Sequence, residues 1–146
     1  VVVTFLFAEA AILMNFQPTS VVAPAGWLPD YGFVYGDRGN GYVYGWSCGP
    51  STTRGRDRQV AGFTNFENTL VVPDRDVTCP HEHWKIRVPN GGYSVQVVFQ
   101  DTQFAGDYSA CTLQGLPLSS GVIAAGVASI AVLHLIVDDG NLTFAG

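Results

Sequence analysis

Hydrophobic residues alternate with polar ones in short runs along most of the chain, and glycine, proline or asparagine closes each run. Trp84-Lys-Ile86-Arg-Val88 places every second residue on an apolar face, the period of a half-buried strand. Tyr93-Ser-Val95-Gln-Val97-Val-Phe99 repeats the pattern. Between them, Pro89-Asn90-Gly91-Gly92 supplies residues that tolerate positive φ, so residues 84–99 are predicted to form a hairpin. Further strands are predicted at 1–7, 12–16, 68–72 and 128–137. Tyr108–Leu113 and Leu116–Leu118 flank a turn at Gln114-Gly115, and Asp138–Asn141 turns the 128–137 strand into Leu142-Thr143-Phe144. Residues 17–30, rich in Pro, Gly and Ser, read as a loop. Helix signals are nearly absent. The class is all-β, with the many short, turn-bounded strands of an antiparallel two-sheet sandwich.

Composition narrows the function more than the fold. The chain has 146 residues, enough for one domain with a real core. Hydrophobic residues make up 47% and charged residues 13%, a balance that excludes disorder. A net charge of −5 with one lysine, Lys85, leaves no basic surface for nucleic acid or an anionic membrane. The apolar run Val122–Val137 is short for a spanning helix and rich in β-branched residues, so it reads as a loop and a strand. Val1–Met14 is apolar enough to resemble a signal-peptide core, but no basic residue precedes it, and it reads as ordered mature chain.

Cys48, Cys79 and Cys111 suggest one disulfide and one remainder in a surface-type β protein. Cys48 with Cys79 is the preferred pair, both lying in turn-rich segments. Three buried thiols, or a cysteine bridging two subunits, remain alternatives.

An ordered series of motifs carries a family resemblance. Asn15-Phe-Gln-Pro18 is followed by Pro24-Ala-Gly-Trp27-Leu-Pro-Asp30-Tyr-Gly32, Tyr35-Gly36 and Gly41-Tyr42-Val-Tyr44-Gly-Trp46. Arg56-Asp57-Arg58, Trp84–Tyr93 and Asp139-Gly140-Asn-Leu142-Thr143 come later. Together, over residues 12–146, they resemble malectin-like, galactose-binding-type domains. The resemblance implies an extracellular or cell-surface, Ig-like jelly-roll sandwich that binds carbohydrate or acts as a structural module, without catalysis or cofactor.

Relatives of that type run past the Leu142-Thr143 strand into one more apolar strand. Here Val2, Val3, Thr4, Phe5, Leu6 and Phe7 look like that strand moved to the front. Residues 1–11 then form a donor strand and link, and residues 12–146 the sandwich. The link Ala8-Glu9-Ala10-Ala11 lacks the Gly, Asn or Pro of a tight turn. Donation into an identical neighbour is therefore the favoured expectation, with closure inside one chain as the alternative. Head-to-tail donation builds a homopolymeric fibre unless it closes into a ring. Ile12, Leu13, Phe16, Leu142 and Phe144 are the expected lining of the acceptor groove.

Other candidates have weaker chemistry. Tyr31–Trp46 holds six aromatics and five glycines, and Tyr35, Tyr42 and Tyr44, with Phe104, are the residues suited to stack on a sugar ring. Phe104 sits where the resemblance puts a sugar-contacting aromatic. Cys79-Pro-His81-Glu82-His83 has metal-ligand residue types but no second cluster, so no metal site is assigned. Among Arg54, Arg56, Asp57 and Arg58, Asp57 is expected to pair with an arginine and tie the loop down. Asn141-Leu-Thr143 is a glycosylation acceptor pattern. No nucleophile, acid–base couple or phosphate loop is recognisable, and the chain reads as a non-enzyme whose partners are its own copies and glycans.

Overall fold

The computed structural model describes residues 2–6, 11–48, 54–72, 79, 81–119 and 121–146, and for 2–6 the backbone alone. The protein is nearly all β, with 47% of residues in strands and 3% in helix. One sheet has the order β14 (Ser129–Val137), β9 (Gly91–Phe99), β1 (Val2–Leu6), β2 (Ala11–Phe16), β3 (Leu28–Asp30). The other runs β12 (Leu116–Pro117), β11 (Thr112–Leu113), β15 (Asn141–Ala145), β8 (His83–Arg87), β5 (Val43–Trp46), β4 (Gly36–Asp37). Two small ribbons pair β6 (Gly55–Asp57) with β7 (Thr69–Val71) and β10 (Gly106–Asp107) with β13 (Val122–Ile123). Among these pairs all are antiparallel except β2–β3.

The helix α1 (Asn65–Asn68) is a single turn closed by a capping box. The Thr64 hydroxyl accepts from Glu67 N–H and the Glu67 carboxylate accepts from Thr64 N–H.

Alternation places one face of each long strand in a common core. Tyr93, Val95, Val97 and Phe99 of β9 and Ile12, Met14 and Phe16 of β2 are buried with Trp84 and Ile86 of β8 and Leu142 and Phe144 of β15. Rings from the two large sheets meet edge to face at Phe16 and Trp84, with centroids 5.4 Å apart, and tilted at Phe99 and Phe144, 6.4 Å apart. Apolar faces of both sheets thus drain into one interior.

The predicted hairpin over 84–99 does not form. β8 pairs with β15 and β5, whereas β9 pairs with β1 and β14. The Pro89–Gly91 turn is a corner that carries the chain from one large sheet to the other. The turn at 138–140 does the same between β14 and β15, so β8–β9 and β15–β14 form one two-stranded ribbon bent across both sheets. Asn90 locks the two corners: its Nδ2 donates to Asp138 O at 2.8 Å and its Oδ1 accepts from Gly140 N–H at 2.8 Å. Alternation reports which face is buried; it does not say which sheet buries it. The turn at Gln114-Gly115 does make a hairpin. Both residues have positive φ, 48° and 75°, and join β11 to β12 with Leu113 opposite Leu116.

Candidate functional site

Two places are candidates for a functional contact. The first is the position of β1 itself. In the single chain β1 is a central strand with a ladder on each side. Val3 lies opposite Met14 on β2 and Val97 on β9, and Phe5 lies opposite Ile12 and Val95. All four of those neighbours are buried. Leu6 opposite Ala11 shows β1 and β2 to be consecutive antiparallel strands, despite the lack of turn residues between them.

The expected lining of this slot needs correction. Ile12 and Leu13 do flank β1, and Phe16 lies beyond its register, beside Asp30 of β3. Leu142 and Phe144 do not flank it: β15 sits in the opposite sheet, with both edges taken by β8 and β11. The second wall is β9, the strand that alternation and turn chemistry pair with residues 84–88 instead. Phe7 lies outside the described residues.

The second place is a cleft of about 360 Å³ beside Phe104, also lined by Arg58, Asp101, Tyr108 and Cys111. Arg58 grips Asp101 through both oxygens, Nε to Oδ1 at 3.0 Å and Nη2 to Oδ2 at 2.6 Å. Asp101 Oδ1 also accepts the N–H groups of Gln103 and Phe104, which shapes the loop presenting Phe104. The Arg58 guanidinium lies 4.7 Å from the Phe104 ring centroid, and that ring is 55% exposed. An exposed aromatic ring beside a fixed ion pair could stack on a ligand's apolar face and bond its hydroxyls.

Burial is the largest effect on the Asp101 carboxyl and raises it, but the hydrogen bonds from Arg58, Gln103 and Phe104 and the Arg58 charge together outweigh it and hold it below the usual range. The folded value is depressed, so its stabilisation is present above the unfolded value and lost as pH falls through the folded one. Wild type is therefore expected to lose stability below about pH 4, where an unperturbed aspartate protonates. Asp101→Asn should flatten that part of the urea-midpoint profile; an unchanged profile would remove Asp101 from the acid response. Cys111, by contrast, is a buried thiol pushed up to about 11 by desolvation and by Asp107, so it stays protonated and unreactive at neutral pH.

The remaining sequence candidates are dispersed. Tyr44 is 2% exposed and its hydroxyl donates to Pro29 O at 2.8 Å, so it is core and cannot be a sugar platform. Tyr35 donates to Asn141 Oδ1 at 3.2 Å beneath the Lys85 ammonium. Tyr42 is half-buried against the core and lines a different depression, with Asn90 and Asp139. Phe104, Tyr42 and Tyr44 line three different depressions. Asn141 begins β15 next to the corner turn, and its Nδ2 donates to Asp139 O at 3.2 Å.

The arginine loop is tied down by partners other than the expected one. Arg58 pairs with Asp101 and Arg54 with Glu82, while Asp57 accepts the Gln59 N–H. Both true partners lie far along the chain, where sequence proximity gives no cue.

Cys48 and Cys79 form a disulfide with Cα atoms 6.1 Å apart, beside the Trp46–Trp84 pairing of β5 and β8. Among the described residues no group of three or more His, Cys, Asp or Glu side chains could hold a metal ion. No helix among them is long and apolar enough to cross a membrane. No protein-family model, curated protein or solved structure matches the chain.

Proposed function

We propose that this chain is a non-enzymatic structural subunit of an extracellular fibre, a malectin-like jelly-roll sandwich in which β1 is exchanged between neighbouring copies. The observation that carries the reading is the place of β1, an N-terminal strand seated between β2 and β9 with buried apolar residues opposite it on both sides. Whichever copy supplies the strand, the slot satisfies the same backbone ladders and the same register. What differs is the link. Closure within one chain reverses direction through Phe7-Ala8-Glu9-Ala10, which has no turn residue, whereas exchange lets those residues run extended. Burying such a strand contributes on the order of 10 kcal/mol by apolar area, before ordering costs. The disulfide fits an oxidising compartment outside the cell.

A cysteine pair tests the exchange directly. Thr4 lies opposite Gln96 in the ladder, so Thr4→Cys with Gln96→Cys brings two thiols together. If β1 is donated, oxidation yields a covalent ladder of multimers on a non-reducing gel, and electron microscopy shows filaments that a chain lacking residues 1–10 does not form. A cross-linked monomer alone would sink the fibre reading.

The Phe104 cleft supports a second reading, a secreted carbohydrate-binding module. Its test is calorimetry against a panel of neutral glycans. Heat that disappears in Phe104→Ala supports it, and no heat from any glycan rejects it.

A further inference from the structure

We propose that the outer edge of β14 is a self-association surface, on which a second copy of this chain adds its own β14 antiparallel to form a two-fold dimer. Among the described residues β14 ends its sheet, with β9 as its strand neighbour. It is nine residues long and pairs with β9 without a bulge from Ser129 to Val137. Natural edges of this length are usually blunted by charge, proline, a bulge or shortness, because an unpaired ladder recruits other strands. Ser129–Val137 contains no Asp, Glu, Lys, Arg or Pro. Its outward residues Ile130, Val132 and Ile136 are 59%, 55% and 76% exposed, with exposed His134 among them.

Symmetry makes a second copy the occupant, and charge places the contact at this strand. Each chain carries a net charge of −5, so copies repel over most of their surfaces and least at a segment without acidic residues. A two-fold axis through Leu133 makes the strand self-complementary. It sets Ile130 opposite Ile136 and Val132 opposite His134 of the other copy, with no like charges facing. Size then sets the strength. Nine residues at about 3.4 Å each and a sheet about 10 Å thick give roughly 300 Å² per copy. That is well below the ~800 Å² per partner of a standard stable interface. The dimer is therefore weak, reversible and concentration-dependent. It is independent of strand exchange, since β9 separates β14 from β1.

Sedimentation velocity of the full chain over a concentration series tests the existence of the dimer, and cysteine pairing tests its register. Wild type should show a monomer–dimer equilibrium that Val132→Lys, at an exposed site, weakens at least tenfold while leaving the circular dichroism spectrum unchanged. On mixing, Val132→Cys and His134→Cys proteins should form a mixed disulfide in preference to either like-with-like product. A wild type that stays monomeric at every concentration, a Val132→Lys constant equal to wild type, or cross-linking with no preference for the mixed pair would each overturn the proposal.

Discussion

Asp30→Ala is expected to lower stability by roughly 5 kcal/mol, because it strips the acceptor from three buried donors at about 1–3 kcal/mol each. Asp30 is 1% exposed at the end of β3. Its Oδ1 accepts the Gly32 N–H at 2.8 Å and the Trp46 indole at 3.0 Å, and its Oδ2 accepts the Trp84 indole at 2.7 Å. These bonds join β3 of one large sheet to β5 and β8 of the other, so a single carboxyl orients both central tryptophans. The melting temperature should fall by roughly 15 °C, and tryptophan emission should shift to the red as both indoles gain water.

Burial, the largest effect on this carboxyl, pushes it above its ordinary value against the pull of the three donors. A raised folded value means that its stabilisation is full below the unfolded value and declines as pH rises through the folded one. The gap between wild type and Asp30→Ala should therefore narrow from acid toward neutral pH. A gap that widens instead would show that the donors outweigh burial. An Ala variant that unfolds like wild type would remove Asp30 as the link between the sheets.

Glu82→Ala should cost about 3–5 kcal/mol, since it leaves the Arg54 guanidinium charged and buried without its carboxylate. Arg54 is 3% exposed and Glu82 2%, and the two are ion-paired across the start of β8, next to the disulfide-bonded Cys79. Replacing both, as Arg54→Met with Glu82→Leu, should recover most of the loss, because apolar residues of similar size avoid the desolvation cost. Urea unfolding of Glu82→Ala and of the double variant reads this directly. If the double variant is no more stable than Glu82→Ala, the pair is held by its surrounding hydrogen bonds rather than by its charge balance.

The all-β class and most strand positions are legible from alternation and turn chemistry. β9 appears as Tyr93–Phe99 and β14 as 128–137, because a two-residue period needs no knowledge of neighbours. Cys48 and Cys79 could be favoured because both sit beside turn residues. The short helix is also legible, since Thr64-Asn-Phe-Glu67 places a capping threonine three residues before a glutamate. The candidate sites were harder to read. Phe104 is visible as an aromatic in a loop, but the Arg58–Asp101 grip spans 43 positions. Tyr44 looked like a platform because an aromatic among glycines reads the same whether its ring faces solvent or core.

What the sequence determines by itself is therefore local, apart from the net charge of −5: where strands run, which of their faces are apolar and where the chain must turn. The tertiary structure alone decides which strands are neighbours. It makes the 89–91 turn a corner instead of a hairpin, sets β1 between β2 and β9, and sends Leu142 and Phe144 to the opposite sheet. The physical reason is that backbone ladders carry no residue identity. An apolar strand gains about as much beside one partner as beside another, and the choice falls to whichever arrangement buries all the apolar faces in one core at once.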